Sequence, residues 1–187
     1  WEYSWDESEV YAVSVKDGAV RQLTHRKGPD GGPMVSPDGK LVAYIGRDWT
    51  DDTYKDEMLY VMGIDGANPR ALTPNLDRTP TQLHWAADGG GVYFTCEDKG
   101  TRHLHFVSMS GQERQLTMDG LKYFGYATDN AGWSGSDRAI VSWSPDSKKA
   151  ATQQQDERSV GEMYLVNTTV GHPTLRVAKF PLPGDPV

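Results

Sequence analysis

The stretch Met34-Val35-Ser36-Pro37-Asp38-Gly39-Lys40-Leu41-Val42-Ala43-Tyr44 decides the fold class. Apolar and polar residues alternate on either side of a turn, as in two strands that each bury one face. Within the turn, Pro presets φ for the first corner, Asp bonds its own backbone, and Gly accepts a positive φ. The pattern returns as Leu83-His84-Trp85-Ala86-Ala87-Asp88-Gly89-Gly90-Gly91-Val92-Tyr93-Phe94 and again as Val141-Ser142-Trp143-Ser144-Pro145-Asp146-Ser147-Lys148-Lys149-Ala150-Ala151. A second hairpin follows each copy. It runs from Met58 to Ile64, turns at Asp65-Gly66 and leaves through Arg70-Ala71-Leu72-Thr73. The next runs from His103 to Ser108, turns at Ser110-Gly111 and leaves through Arg114-Gln115-Leu116-Thr117. The third is Met163-Tyr164-Leu165-Val166 running into Thr174-Leu175-Arg176-Val177. A copy of this second hairpin alone opens the chain, from Val10 through Asp17-Gly18 to Arg21-Gln22-Leu23-Thr24.

Four short strands recurring at roughly 40–50 residues is the period of β-propeller blades. The expected fold is all-β, with four-stranded antiparallel blades over 33–73, 81–117 and 139–180 and a partial blade over 1–24, in a single domain spanning 1–187. That is about three and a half blades, whereas closed propellers have about 4–8. The expectation is therefore an open arc unless oligomerisation closes it, since each raw edge offers unpaired backbone to another chain. The stretch 118–138, with Tyr123, Phe124, Tyr126 and Trp133, is longer than the other links and is expected to supply an extra strand or an ordered loop.

Composition agrees. The chain of 187 residues holds 20 Gly and 11 Pro, too many breakers for long helices, while 6 Trp, 9 Tyr and 4 Phe supply surface worth burying. A net charge of -7 without any Lys/Arg run argues against a nucleic-acid partner. No apolar run approaches the ~18 residues of a membrane span. The start at Trp1 rather than Met reads as a processed product or a fragment. The single Cys96 excludes an internal disulfide and a cysteine-built zinc site, and leaves the compartment open.

The Ser-Pro-Asp-Gly-Lys turn resembles the propeller repeats shared by TolB and the prolyl oligopeptidase family of serine peptidases. Residues 1–117, with Trp5-Asp6-Glu7-Ser8-Glu9-Val10-Tyr11, Arg26-Lys27-Gly28-Pro29-Asp30-Gly31 and Leu59-Tyr60-Val61-Met62, resemble the acylaminoacyl-peptidase-like branch. Residues 121–187 resemble the dipeptidyl peptidase IV branch, through Tyr123 to Trp133, Gln154-Gln155-Asp156-Glu157-Arg158, Val170-Gly171-His172-Pro173 and Pro181-Leu182-Pro183-Gly184-Asp185. Two branches in one chain imply a junction near 117–121, as in a chimeric or engineered fragment. The resemblance implies a domain that limits access to an α/β-hydrolase domain carrying Ser, Asp and His. It also implies a glutamate pair that grips a substrate amino terminus; Glu157 and Glu162 do not match that setting and receive no such role.

No residue is assigned to catalysis, to a cofactor or to a metal. Gly132-Trp133-Ser134-Gly135-Ser136 approximates a nucleophile elbow but lacks its last Gly, and no helix follows, so Ser134 reads as a loop serine. His103 and His105 share a strand face, the start of a metal site, yet no ligand completes it and a surface pair is expected. His172 sits in a turn. The acidic run from Asp48 to Glu57 lacks the EF-hand pattern and reads as a solvated loop rather than a calcium site. Asp156-Glu157-Arg158 reads as a salt-bridged hairpin end. Asn167-Thr168-Thr169 matches the glycosylation formula. Trp85 and Trp143 hold the same place in two repeats and read as core aromatics, with channel lining as the alternative. The expected function is a non-catalytic gate. The rivals are a half-propeller that self-associates and a TolB-like scaffold that binds peptides or a protein.

Overall fold

The computed structural model describes residues 7–52, 54–98, 101–119, 124–125, 141–156, 158–168, 171–180 and 182–184. Among them all regular structure is strand. β1 (Tyr11–Val13) and β2 (Val20–Gln22) form a hairpin. β3 (Asp30–Val35), β4 (Leu41–Gly46), β5 (Met58–Gly63) and β6 (Arg70–Ala71) form an antiparallel sheet in chain order. So do β7 (Thr81–Trp85), β8 (Gly91–Asp98), β9 (Thr101–Ser108) and β10 (Glu113–Gln115). Further on, β11 (Phe124–Gly125) pairs with β14 (Gln155–Asp156), β12 (Val141–Trp143) with β13 (Ala150–Thr152), and β15 (Glu162–Asn167) with β16 (Thr174–Lys179).

The two central blades thus stand where the repeat puts them, and the sheets are open rather than closed into a ring. Over 139–180 the strands form separate hairpins; among the described residues β13 and β15 are not hydrogen bonded to each other. Of the stretch 118–138, Phe124 and Gly125 supply a two-residue strand, and most of the rest lies outside the described residues.

The sheets stack face on face. β4 reads Leu-Val-Ala-Tyr-Ile-Gly, and Val42, Ala43 and Tyr44 are all buried although successive side chains point to opposite faces. Val42, Tyr44 and Met62 pack back onto Val10 and Leu23 of the first hairpin. Ala43, Leu59, Val61 and Leu72 pack forward onto Leu83, Trp85, Val92, Phe94 and Val107 of the next sheet. A strand covered on both faces needs a continuous apolar run rather than strict alternation, and β4 has one.

Two repeated devices fix this arrangement. In the first turn Asp38 accepts from Lys40 N–H and Ser36 Oγ, while Leu41 N–H donates to Ser36 Oγ at 2.9 Å. Asp146, Ser144 and Lys149 repeat this, with Lys149 N–H donating to Ser144 Oγ at 2.9 Å. Gly39 and Gly89 take positive φ at the last corner, and Ser147 stands at the same corner with φ 53. The hydroxyl bonds hold both aspartates below the usual carboxylate range.

The second device is the run Arg-x-Leu-Thr. Thr24 Oγ1 accepts from Val10 N–H at 2.9 Å, Thr73 Oγ1 from Leu59 N–H at 2.9 Å, and Thr117 Oγ1 from Leu104 N–H at 3.0 Å. The arginine reaches across to the next sheet. Arg21 donates to Asp65 O at 2.8 Å, and Arg70 to Met109 O at 2.8 Å, each acceptor lying in the outer turn of the following blade. At that turn a side chain on Gly66 would meet Leu23 O at 2.7 Å, and one on Gly111 would meet Leu72 O at 3.4 Å. The first hairpin and the β3–β6 sheet therefore grip their successors by the same residues.

Candidate functional site

The inner strands carry the aromatic contacts between blades. Trp85 is buried and its Nε1–H donates to Met34 O of β3 at 2.9 Å. Trp143, one repeat later, stacks on His84 with ring centroids 4.4 Å apart and planes 1° from parallel. Met34 and His84 hold equivalent places, so both tryptophans pack back onto the preceding blade. Tyr93 lies 4.5 Å from the Trp143 ring and 5.0 Å from Phe106. Trp85 lies in the buried core, whereas Trp143 is half-buried.

His84 also places Nε2 2.9 Å from Ser147 Oγ, and burial lowers its pKa. A serine beside an imidazole is the first half of a nucleophile–base pair. No carboxylate orients the ring among the bonds of the described residues, and Ser147 stands where Gly39 and Gly89 stand in the other turns. The contact is interblade packing. Its signal in the sequence was only the equivalence of His84 to Met34.

The expectation for His103 and His105 needs correction. They do share a face, but it is not a surface: His103 is 3% and His105 6% exposed. The reason is the stack, because that face of β9 is covered by the preceding sheet. His103 Nδ1 lies 3.2 Å from Thr117 Oγ1, and burial lowers its pKa. His105 Nδ1 lies 2.9 Å from Glu113 Oε1, and the ring stacks on Phe94 at 5.2 Å. A carboxylate only accepts, so Nδ1 carries a proton toward Glu113, while Nε2 is buried with no hydrogen-bond partner. Cys96 pairs with His103 across the strands, and burial pushes its thiol up to about 11, which suppresses the reactive thiolate. Among the described residues no group of three His, Cys, Asp or Glu is placed to hold a metal ion.

A second polar cluster lies where the first hairpin meets the β3–β6 sheet. Asp30 is 1% exposed and ion-paired to Arg26, whose guanidinium sits 4.2 Å from the Tyr60 ring centroid. Asp30 Oδ2 has no hydrogen-bond partner. Burial raises the Asp30 carboxyl pKa against the pull of Arg26, and burial pushes the Tyr44 hydroxyl up to about 12. Gly46 lines this cluster because a side chain there would collide with both Asp30 and Arg26. Arg26 and Asp30 are near neighbours in the chain, but Tyr44 and Tyr60, which complete the cluster, come from β4 and β5 and join it only in the fold.

The remaining candidates are at the surface. The described residues of the acidic run 48–57 are exposed apart from half-buried Thr50 and Glu57; Thr53 lies outside the described residues. Asp156 is ion-paired to Arg158 at 2.6 Å, and these bonds hold its carboxyl down to about 2. Glu162 accepts from the Tyr164 hydroxyl at 2.9 Å. His172 and Asn167 are exposed. A groove of about 440 Å³ on the outer rim is lined by Arg70, Thr73, Asn75, Ser110 and Glu113. Ser134 and Glu157 lie outside the described residues.

Comparison with known proteins narrows what this arrangement belongs to. Residues 107–187 match the family model described as the dipeptidyl peptidase IV (DPP IV) N-terminal region. The match begins ahead of the expected junction near 117–121 and runs through it. Dipeptidyl-peptidase 5 of Porphyromonas gingivalis is 26% identical over 127 residues, covering 66% of this chain and 18% of that protein. Dipeptidyl-peptidase 5 of Trichophyton equinum is 29% identical over 100 residues, covering 53% of this chain and 14% of that protein. The chain thus spans less than a fifth of the curated relatives it matches. TolB from Acinetobacter baumannii superposes with a TM-score of 0.55 at 19% identity, over 89% of this chain and 37% of that one. An oligogalacturonate lyase in complex with manganese superposes with a TM-score of 0.52 at 17% identity, over 92% of this chain and 54% of that one. At such identities the two structures speak for the fold alone.

Proposed function

We propose that this chain is a β-propeller domain of a prolyl-oligopeptidase-type peptidase and acts as a steric gate rather than as a reacting centre. The observation that carries this is the match of 107–187 to the N-terminal region of a peptidase family. In support, several polar side chains of the described blades hold them together: the arginines of the Arg-x-Leu-Thr runs, Trp85 and the Arg26–Asp30 pair. Such a domain would admit a short extended peptide to the hydrolase domain and block a folded protein, with selection resting on size and on loops. The cleaving residues would belong to a separate hydrolase domain.

The test is release of chromophore from Ala-Pro and acetyl-Ala anilides by the purified chain. The expected result is no turnover. Turnover abolished by Ser134→Ala would overturn the proposal.

A second reading, self-association, is favoured by one observation. The outward face of the first hairpin exposes Tyr11, Val13 and Val20 at 52%, 61% and 65%. Light scattering after gel filtration decides it, and a stable species at the monomer mass of 20.7 kDa counts against it.

A further inference from the structure

We propose that the loop between β4 and β5 is a docking site for a basic peptide, an arginine or lysine of which stacks on the Trp49 indole while Asp51 and Asp52 balance its charge. The loop is longer than the blade needs. It spans residues 47–57, whereas the equivalent link between β8 and β9 is residues 99–100. A connection that the repeat can close so tightly gains nothing for sheet packing from the longer form, and long loops on a rigid scaffold are where binding residues stand.

Trp49 is 44% exposed, while Trp85 is buried and Trp143 half-buried. An exposed aromatic is ordinary on a loose loop, but this one is fixed. Trp49 N–H donates to Lys27 O at 2.8 Å and Arg47 N–H to Pro29 O at 3.2 Å, which straps the start of the loop to the link that leads into β3. The strap requires Gly28, whose φ is +127 and where a side chain would collide with Arg47 O and Trp49 N. Arg26 holds the adjacent residue, with Nε 3.7 Å from Asp48 Oδ1, while it also pairs with buried Asp30. Backbone and charge thus position the indole, so little ordering remains to be done when a partner arrives.

The surroundings select the partner. Lys27 Nζ lies 4.0 Å from the centroid of the Trp49 ring, so the ring already carries one cation, and among the described residues no second ring or cation covers it. Residues 48–57 hold four Asp and one Glu against one Lys. Asp51 and Asp52 are exposed, and among the described residues neither is ion-paired. A neutral sugar would stack on an indole but leave this charge uncompensated; a basic side chain answers both. The site asks nothing of the gating role, and its failure would leave that role standing.

The test is fluorescence anisotropy of a fluorescein-labelled Gly-Arg-Gly-Arg-Gly peptide titrated with the full chain. Binding that weakens with added salt is expected, with the Gly-Glu-Gly-Glu-Gly peptide not bound. Trp49→Ala should weaken it roughly fivefold, and Trp49→Phe should keep most of the affinity. Asp51→Asn together with Asp52→Asn should weaken it roughly threefold. Asp17→Asn together with Asp65→Asn makes the same charge change at the outer turns and should leave binding as it was. Equal weakening by the two pairs overturns the proposal, because net charge alone would then attract the peptide. So does full affinity in Trp49→Ala, or displacement of the peptide by cellobiose, which would assign the ring to a sugar.

Discussion

Residues 7–119 and residues 141–184 are written in the same repeat, yet the first region is a stack and the second a pair of hairpins. The turns do not explain the difference, since the Ser144–Asp146 turn makes the same bonds as the Ser36–Asp38 turn. Burial does. Leu23 and Leu72 are 6% and 1% exposed, with a sheet on the far side of each, while Leu116 stays half-buried. Turn chemistry is local and forms wherever its residues stand. A blade's apolar faces gain their stabilisation only when a neighbour covers them, at about 25 cal/mol per Å².

Paired substitutions at equivalent positions can break or sharpen this contrast. The largest effect is expected at the tryptophans. Trp85→Ala should cost about 3–5 kcal/mol in urea unfolding, and Trp143→Ala, half-buried against His84 and Tyr93, about 1–2 kcal/mol. Equal losses would mean that the two regions are packed alike. Next come the outer-turn glycines. Gly66→Ala combines a left-handed φ with the approach of Leu23 O and should cost about 2–4 kcal/mol, against about 1 kcal/mol for Gly18→Ala, which has the φ but open space. Thermal melts of the two variants give the comparison.

A smaller loss, about 1–2 kcal/mol, is expected for Thr73→Val, which leaves Leu59 N–H without its side-chain acceptor; Thr73→Ser should recover most of it. The smallest effect is that of pH. Burial holds His84 and His103 below 6.5, so the unfolded chain takes up protons before the folded one does. Stability is then complete above pH 6.5 and falls as pH drops through and below it. Melting temperature should decrease from pH 7.5 to 5.5, and His103→Asn should flatten part of that slope. A flat profile in the parent protein would show that the interface between the sheets does not exclude these protons.

The blades were legible because they are built from short-range signals. The Pro-Asp-Gly corners and the alternation around them place β3 to β10 within a few residues of their observed bounds. The Arg-x-Leu-Thr run was visible as a recurrence, but its purpose was not, since Arg21 and its acceptor Asp65 are 44 positions apart. The same limit hid the part that Tyr60 and Tyr44 play in the cluster around Arg26 and Asp30, since both tyrosines come from other strands. It also misplaced His103 and His105: alternation says which side chains share a face, and says nothing of whether another sheet lies on it. As to the candidate site, the strand-borne pair His103 and His105 and the serine beside His84 were both open to misreading until the stack showed what each one packs against.

Strands and their corners follow from the amino-acid sequence alone, because each depends on residues within one hairpin. Only the tertiary structure decided which faces are interior and which arginine reaches which carbonyl. Those outcomes depend on groups far apart along the chain, brought together by the burial of one sheet against the next.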